Sequence, residues 1–173
     1  MMLAACGRSQ RDVVNEFVSA SKDRDLATLA KVSMVPLPFE IASWRITRTA
    51  TPREESFDLE ESQRKLSQAR AARDVAEADS NEAERLRLQS RIERLRRDLE
   101  EQREAARKSL HTWSSIDQLR GVVEVAEVEV NLQSPQGDES TFSLTMKRYS
   151  LGNPQLGTRP PAEWIVTEVE PGT

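Results

Sequence analysis

Residues 78–99 read ADSNEAERLRLQSRIERLRRDL, and this stretch decides the fold. Leu88, Ile92, Leu95 and Leu99 step by four, three and four, the spacing of a coiled-coil seam. Gln102, Ala106 and Ser109 continue the series, and Leu59, Leu66, Ala69 and Ala76 mark a thinner seam upstream. Residues 52–112 contain no Gly and, after Pro52, no Pro; their Ala, Arg, Glu, Leu and Gln favour helix throughout. Residues 79–82 offer side chains that cap a new helix. Strand-like sequence lies on both sides of the segment. The pattern therefore predicts a helical hairpin with its tip near Ser80. Arms of about 25 residues project roughly 38 Å and return the chain to its origin. One unbroken helix would carry the flanking strands about 90 Å apart at roughly 1.5 Å per residue. Pro52 is read in the first helical turn, with Glu54 and Glu55 near the positive end of the helix dipole.

Upstream of the hairpin, Ser9-Gln10-Arg11-Asp12 reads as a capping-box-like start. Val13, Val14, Phe17, Val18 and Ala20 then recur at helical spacing. Asp25 is the N-cap of a second helix carrying Leu26, Leu29, Ala30 and Val32, which Pro36 and Pro38 stop. Phe39, Ile41, Trp44 and Ile46 predict a strand up to about Thr49.

Downstream, Val123 and Val125 alternate in one phase, whereas Val128, Val130 and Leu132 alternate in the other. This shift near Ala126-Glu127 predicts a bulge or bend in one long strand. Ser134-Pro135-Gln136-Gly137-Asp138 is a turn, and Phe142, Leu144 and Met146 belong to the returning strand. Residues 150–161 form a Gly- and Pro-containing loop before a last strand with Trp164, Ile165, Val166 and Val169.

Helix, helix, strand, helical segment and three antiparallel strands is an order that resembles small NTF2-like domains, including bacterial lipoproteins of that type. The residues that carry the resemblance are 13–20, Asp25-Leu26-Ala27-Thr28-Leu29 and the closing strands at 125–132, 141–149 and 164–169. In that family an Asp-Leu pair starts the second helix and a tryptophan commonly opens the last strand. The resemblance implies an α+β fold, with helices packed on a curved antiparallel sheet. Here the family's short third helix is expanded into the long charged hairpin. The domain reading is 7–51 for the helices and first strand, 52–112 for the coiled-coil insert and 113–173 for the remaining sheet.

Net charge is -4, with 31% charged and 5% aromatic residues, too charged for a single compact core and in keeping with an exposed charged helix. The acidity argues against nucleic acid as a partner. One cysteine rules out an internal disulfide framework, and one histidine with it rules out a standard zinc site.

That cysteine lies in Leu3-Ala4-Ala5-Cys6, which looks like a bacterial lipobox: a branched apolar residue, two small ones and the thiol that receives the lipid. A lipoprotein signal also needs a basic region and an apolar run of about 7–15 residues. Residues 1–6 are accordingly read as the shortened end of such a signal. Lipidation of Cys6 would anchor the chain in a membrane, with more than the two hydrophobic signals that stable anchoring requires. Gly7 stands where some Gram-negative lipoproteins carry an inner-membrane retention Asp, which favours the outer membrane facing the periplasm. At about 3.4 Å per residue, the leash from Cys6 to the first helix spans under roughly 20 Å. The body hugs the bilayer and the hairpin supplies reach.

No residue pattern spells out a reaction, and no cofactor, metal or phosphate-loop motif stands out. His111 reads as a helix C-terminal residue. Tyr149 reads as a packing or surface residue and Glu124 as a solvent-facing one, while Trp44, Trp113 and Trp164 read as core. Arg85, Arg87, Arg91, Arg94, Arg96, Arg97, Arg103 and Arg107 crowd the second arm, interspersed with carboxylates. The expectation is a non-enzymatic envelope lipoprotein that binds a protein partner, or itself, through Leu88, Ile92, Leu95 and Leu99. The alternatives are a periplasmic adaptor of a transport or secretion system, and a small-ligand binder or enzyme using an NTF2-like cone.

Overall fold

In the computed structural model, residues 8–37, 39–111, 116, 119–151 and 162–172 are described. Within them the chain is α+β, with four helices and five strands in one antiparallel sheet. The helices are α1 (Gln10–Asp23), α2 (Leu26–Val32), α3 (Leu59–Ala78) and α4 (Glu82–Leu110). The strands are β1 (Ser43–Thr49), β2 (Arg53–Asp58), β3 (Arg120–Gln133), β4 (Glu139–Leu151) and β5 (Ile165–Pro171). The sheet order is β1-β3-β4-β5. β2 continues the line of β1 along the other half of β3, so Ser43–Thr49 pairs residues 128–133 and Arg53–Asp58 pairs residues 120–125.

The change of phase in β3 is a change of covered face. Its pairing with β4 runs unbroken from Gly121 opposite Leu151 to Gln133 opposite Glu139, so the bulge expected at Ala126-Glu127 is absent. Ala126, Val128, Val130 and Leu132 join a core beneath α1 and α2, with Val13, Val14, Phe17 and Val18. Val123 and Val125 point to the opposite face and join a second core with Phe57, Leu59, Leu99, Ala106 and Tyr149. Alternate residues of a strand face opposite sides, so a strand that serves two cores must switch phase where one gives way to the other. Ile165 and Val166 divide likewise, one to each core.

The bulges fall on other strands. Between Ile46 and Arg48 the register of β1 slips past Thr47, and in β5 it slips past Thr167. In both places the threonine hydroxyl donates to a carbonyl of the facing strand, Thr47 to Glu129 and Thr167 to Thr145, each at 3.2 Å. The second slip keeps Val166 and Val169, three residues apart, on the same core.

Residues 53–58 correct the reading of a helix from Pro52. Arg53-Glu54-Glu55-Ser56-Phe57-Asp58 is polar and helix-compatible locally, yet it pairs with β3 and buries Phe57. Tertiary pairing overrides a weak propensity here. Helix α3 begins at Leu59, where Asp58 caps it by accepting from Glu61 N–H at 2.9 Å.

The tip stands where the sequence puts it. α3 ends at Ala78, Ser80 turns at φ 54°, and Asn81 caps α4 by accepting from Glu84 N–H at 3.2 Å. Ser9 and Asp12 form the reciprocal capping box of α1, and Asp25 caps α2. Hydrogen bonds from Ser9 and Thr28 hold the carboxyls of Asp12 and Asp25, respectively, below their usual range.

Candidate functional site

The base of the hairpin is fixed to the sheet by a small polar joint inside an apolar core. Ser109, in the last turn of α4, is fully buried. Its hydroxyl donates to the Glu163 carbonyl at 2.7 Å and accepts the Tyr149 N–H at 2.9 Å. The Glu163 N–H returns to the Ser109 carbonyl at 2.9 Å. β5 pairs β4 only as far as Lys147, so the helix supplies the partner that the sheet does not give Tyr149. Lys108 adds a bond to the Ser33 carbonyl at 2.7 Å. His111 closes α4 in the left-handed region at φ 48°, the C-terminal role read from sequence, with Nε2 3.3 Å from Glu163.

The seam residues are not a free face. Leu88, Ile92 and Leu99 are 7%, 6% and 2% exposed, and Leu95 is half-buried beside them. Ile92, Leu95 and Leu99 share a core with Leu66 and Ala69 of α3, and lower down the Ser62 hydroxyl lies 3.4 Å from Gln102 Oε1. This corrects the docking surface expected from Leu88, Ile92, Leu95 and Leu99. A heptad stripe marks a helix partner without saying which helix, and the partner is the preceding arm.

The outer surface of the arm is charged. Arg85 pairs with Glu82, Arg87 with Glu84 and Arg103 with Glu100, while Arg64 pairs with Glu61. The Arg85 contact holds the Glu82 carboxyl below its usual range, and Glu82 raises Arg85 in return. An open groove on α4 is lined by Glu84, Arg87, Leu88, Ser90, Arg91 and Arg94. Among the described residues, every hydrogen bond and ion pair made by residues 63–100 stays within the hairpin.

The residues weighed for chemistry are held by structural partners. Glu124 is a correction: it is not turned to solvent but half-buried, and accepts from Arg148 at 2.6 Å. That guanidinium lies 4.8 Å over the ring of Trp164, which is buried in the first core. Tyr149 packs edge-on against Phe57, ring centroids 5.1 Å apart. Burial, then the nearby Glu101 and Glu55 carboxylates, push its hydroxyl up to about 12. Trp44 is half-buried against the first core and donates to Asn15 Oδ1 at 3.0 Å. Cys6 and Trp113 lie outside the described residues, as do 152–161 of the expected loop.

Sequence reasoning missed Ser109 as the joint and Arg148 as the partner of Glu124. Nothing local marks either; the signal is the pairing of Glu124 with Arg148 across β3 and β4, which needs the register. Among the described residues no group of three or more His, Cys, Asp or Glu is placed to hold a metal ion, and no helix is long and apolar enough to cross a membrane. Comparison with protein-family models, curated proteins and solved structures finds no match for this chain.

Proposed function

We propose that the chain is an envelope lipoprotein, anchored through lipid on Cys6 and facing the periplasm from the outer membrane. Its NTF2-like body carries a coiled-coil arm that makes contact with protein. The observation that carries the arm's role is its two-ended construction. The base is built into the second core and bonded to the sheet through Ser109, while residues 63–100 form their polar bonds within the arm alone. A lever fixed at one end and bonded only to itself beyond that end is suited to reaching. At 29 residues, α4 spans about 43 Å. The face that an NTF2-like pocket would use is filled by Phe17, Leu144, Met146, Trp164 and Val166, which supports a contact role over a ligand cone.

Two measurements test this. The chain expressed from its own locus should incorporate radiolabelled palmitate and sediment with membranes, and Cys6→Ser should lose both; label retained by Cys6→Ser overturns the anchor. Removing residues 70–96 and closing the stumps with a short turn should leave the body folded and anchored but abolish its crosslinks in cells. Unchanged crosslinks overturn the role of the arm.

A further inference from the structure

Between the two arms runs a groove to which each helix gives one face. Arg70 stands on the α3 side and Arg96, Glu100 and Arg103 on the α4 side, over a floor of Leu66 and Leu99. The two leucines are 5% and 2% exposed, so the floor is closed and the groove offers charge and hydrogen bonds, not apolar area. Three guanidiniums line it against one carboxylate, Glu100, which pairs with Arg103 at 2.9 Å.

Arg70 and Arg96 form no hydrogen bond or ion pair among the described residues. The reason lies on their own helices. Residues three or four apart are neighbours on a helix surface. The carboxylates at that distance from Arg70 and Arg96 are Asp74, Glu93 and Glu100. Asp74 is taken by Arg73 at 2.6 Å, Glu93 accepts from Gln89 at 2.9 Å, and Glu100 is taken by Arg103. The hairpin thus brings two uncompensated guanidiniums to one groove from opposite arms.

We infer that this groove binds a phosphate monoester group, gripped by Arg70 from α3 and Arg96 from α4. Guanidiniums present planar forks of donors that match phosphate oxygens two at a time. A phosphate monoester carries about −1.5 to −2 charges at pH 7, which balances the two guanidiniums. A single carboxylate would leave one of them without a counter-charge. The closed floor gives the apolar face of a partner helix nothing to bury against. The same group is found on soluble phosphate esters and on lipid headgroups. Held across the groove, it ties α3 to α4. The inference goes beyond the contact role of the arm and gives the arm a ligand of its own.

The test uses the 173-residue chain with Cys6→Ser, which carries no lipid, so that binding reports the groove alone. Calorimetric titration should show binding of glycerol 3-phosphate, and the ligand should raise Tm. Arg70→Gln and Arg96→Gln should each weaken binding about tenfold or more, the loss expected for one charged hydrogen-bonding partner. The double variant should abolish both binding and the rise in Tm. Both side chains are exposed, and circular dichroism checks that the variants stay folded. Arg91→Gln with Arg94→Gln removes the same charge from a different groove and should leave binding unchanged. Binding should also weaken as pH falls through about 6, where a phosphate monoester takes up its second proton. Flotation with phosphatidylcholine vesicles containing phosphatidate separates the two sources. Flotation that the Arg70, Arg96 double variant loses upholds the site and assigns it a headgroup; binding of glycerol 3-phosphate without flotation upholds it and assigns a soluble ester. Failure of both probes to bind overturns the inference, as does an equal loss in the Arg91, Arg94 control. Binding of a polyglutamate peptide with neither phosphate probe bound would overturn it too, and give the groove to an acidic protein.

Discussion

The Ser109 hydroxyl joins the last turn of α4 to β4 by accepting the Tyr149 backbone N–H at 2.9 Å, at a position fully shielded from water. The same hydroxyl donates to the Glu163 carbonyl, so its removal strands a buried donor and weakens the bonding of a carbonyl. Leaving such groups unsatisfied costs about 1–3 kcal/mol. Ser109→Ala should therefore lower stability by that amount in urea unfolding. Tm should fall by about 2–4 °C for each kcal/mol at this chain length. Ser67, which bonds back to Gln63 on the exposed side of α3, is the control. Ser67→Ala should stay within about 0.5 kcal/mol. Equal losses at the two serines would show that the joint does not hold the arm.

Tyr149 gives the fold a pH signature in the alkaline range. It is the single tyrosine of the chain, so tyrosinate absorbance reports it alone. Burial, with Glu101 and Glu55 adding to it, raises the folded hydroxyl to about 12 from its ordinary value of 10.0. A group raised on folding keeps its proton longer in the folded state. Its contribution is fully present below pH 10 and is lost as pH climbs towards 12. The native protein should titrate near 12 and the urea-unfolded chain near 10, with unfolding free energy falling between them. Phe57→Ala, which opens the side of the ring, should bring the native titration down. A native tyrosine titrating near 10 would place Tyr149 in water.

Ile92 and Leu95 would serve a partner if the seam were open, but the seam is closed by α3. Ile92→Asp with Leu95→Asp should unfold the distal arm instead of producing a folded chain deaf to its partner. Losing one buried Leu or Ile side chain costs about 2–5 kcal/mol even before a carboxylate is placed there. Far-UV circular dichroism should lose helix while the first core, which neither residue touches, keeps its tryptophan fluorescence. Full helix content in the double variant would show that the stripe faces outward after all.

The hairpin was legible because its signals are local: seam spacing, absence of Gly and Pro, and capping residues at the tip. The caps at Ser9 and Asp25 read correctly for the same reason, and the cap of α4, Asn81, falls within the 79–82 stretch that was expected to supply it. β2 was not legible, since Arg53, Glu54 and Glu55 have no strand signature and are ordered by pairing with residues 123–125. The phase shift in β3 was seen, but its cause was not. A bulge and a change of covered face leave the same mark on one strand, and the two part only when the neighbour's register is known. The joint at Ser109 and the pairing of Glu124 with Arg148 depend on residues far apart in sequence, so composition and spacing carry no trace of them.

The two bulged threonines offer the same chemistry at different depths. Thr167 is 3% exposed and donates to the Thr145 carbonyl, whereas Thr47 is exposed and donates to the Glu129 carbonyl at the same 3.2 Å. Valine matches the shape of threonine without the hydroxyl. At Thr167 no water can take over the bond, so Thr167→Val should cost about 1–3 kcal/mol in urea unfolding. At Thr47 water replaces the hydroxyl, and Thr47→Val should stay within about 0.5 kcal/mol. The slip in β5 also keeps Val166 and Val169 on one core, so a weakened bulge should first loosen the end of β5. Amide exchange should quicken at Glu168 and Val169 in Thr167→Val before it changes in β3. If the two valine variants lose equal stability, the bulges are held by strand pairing and the hydroxyl bonds are incidental.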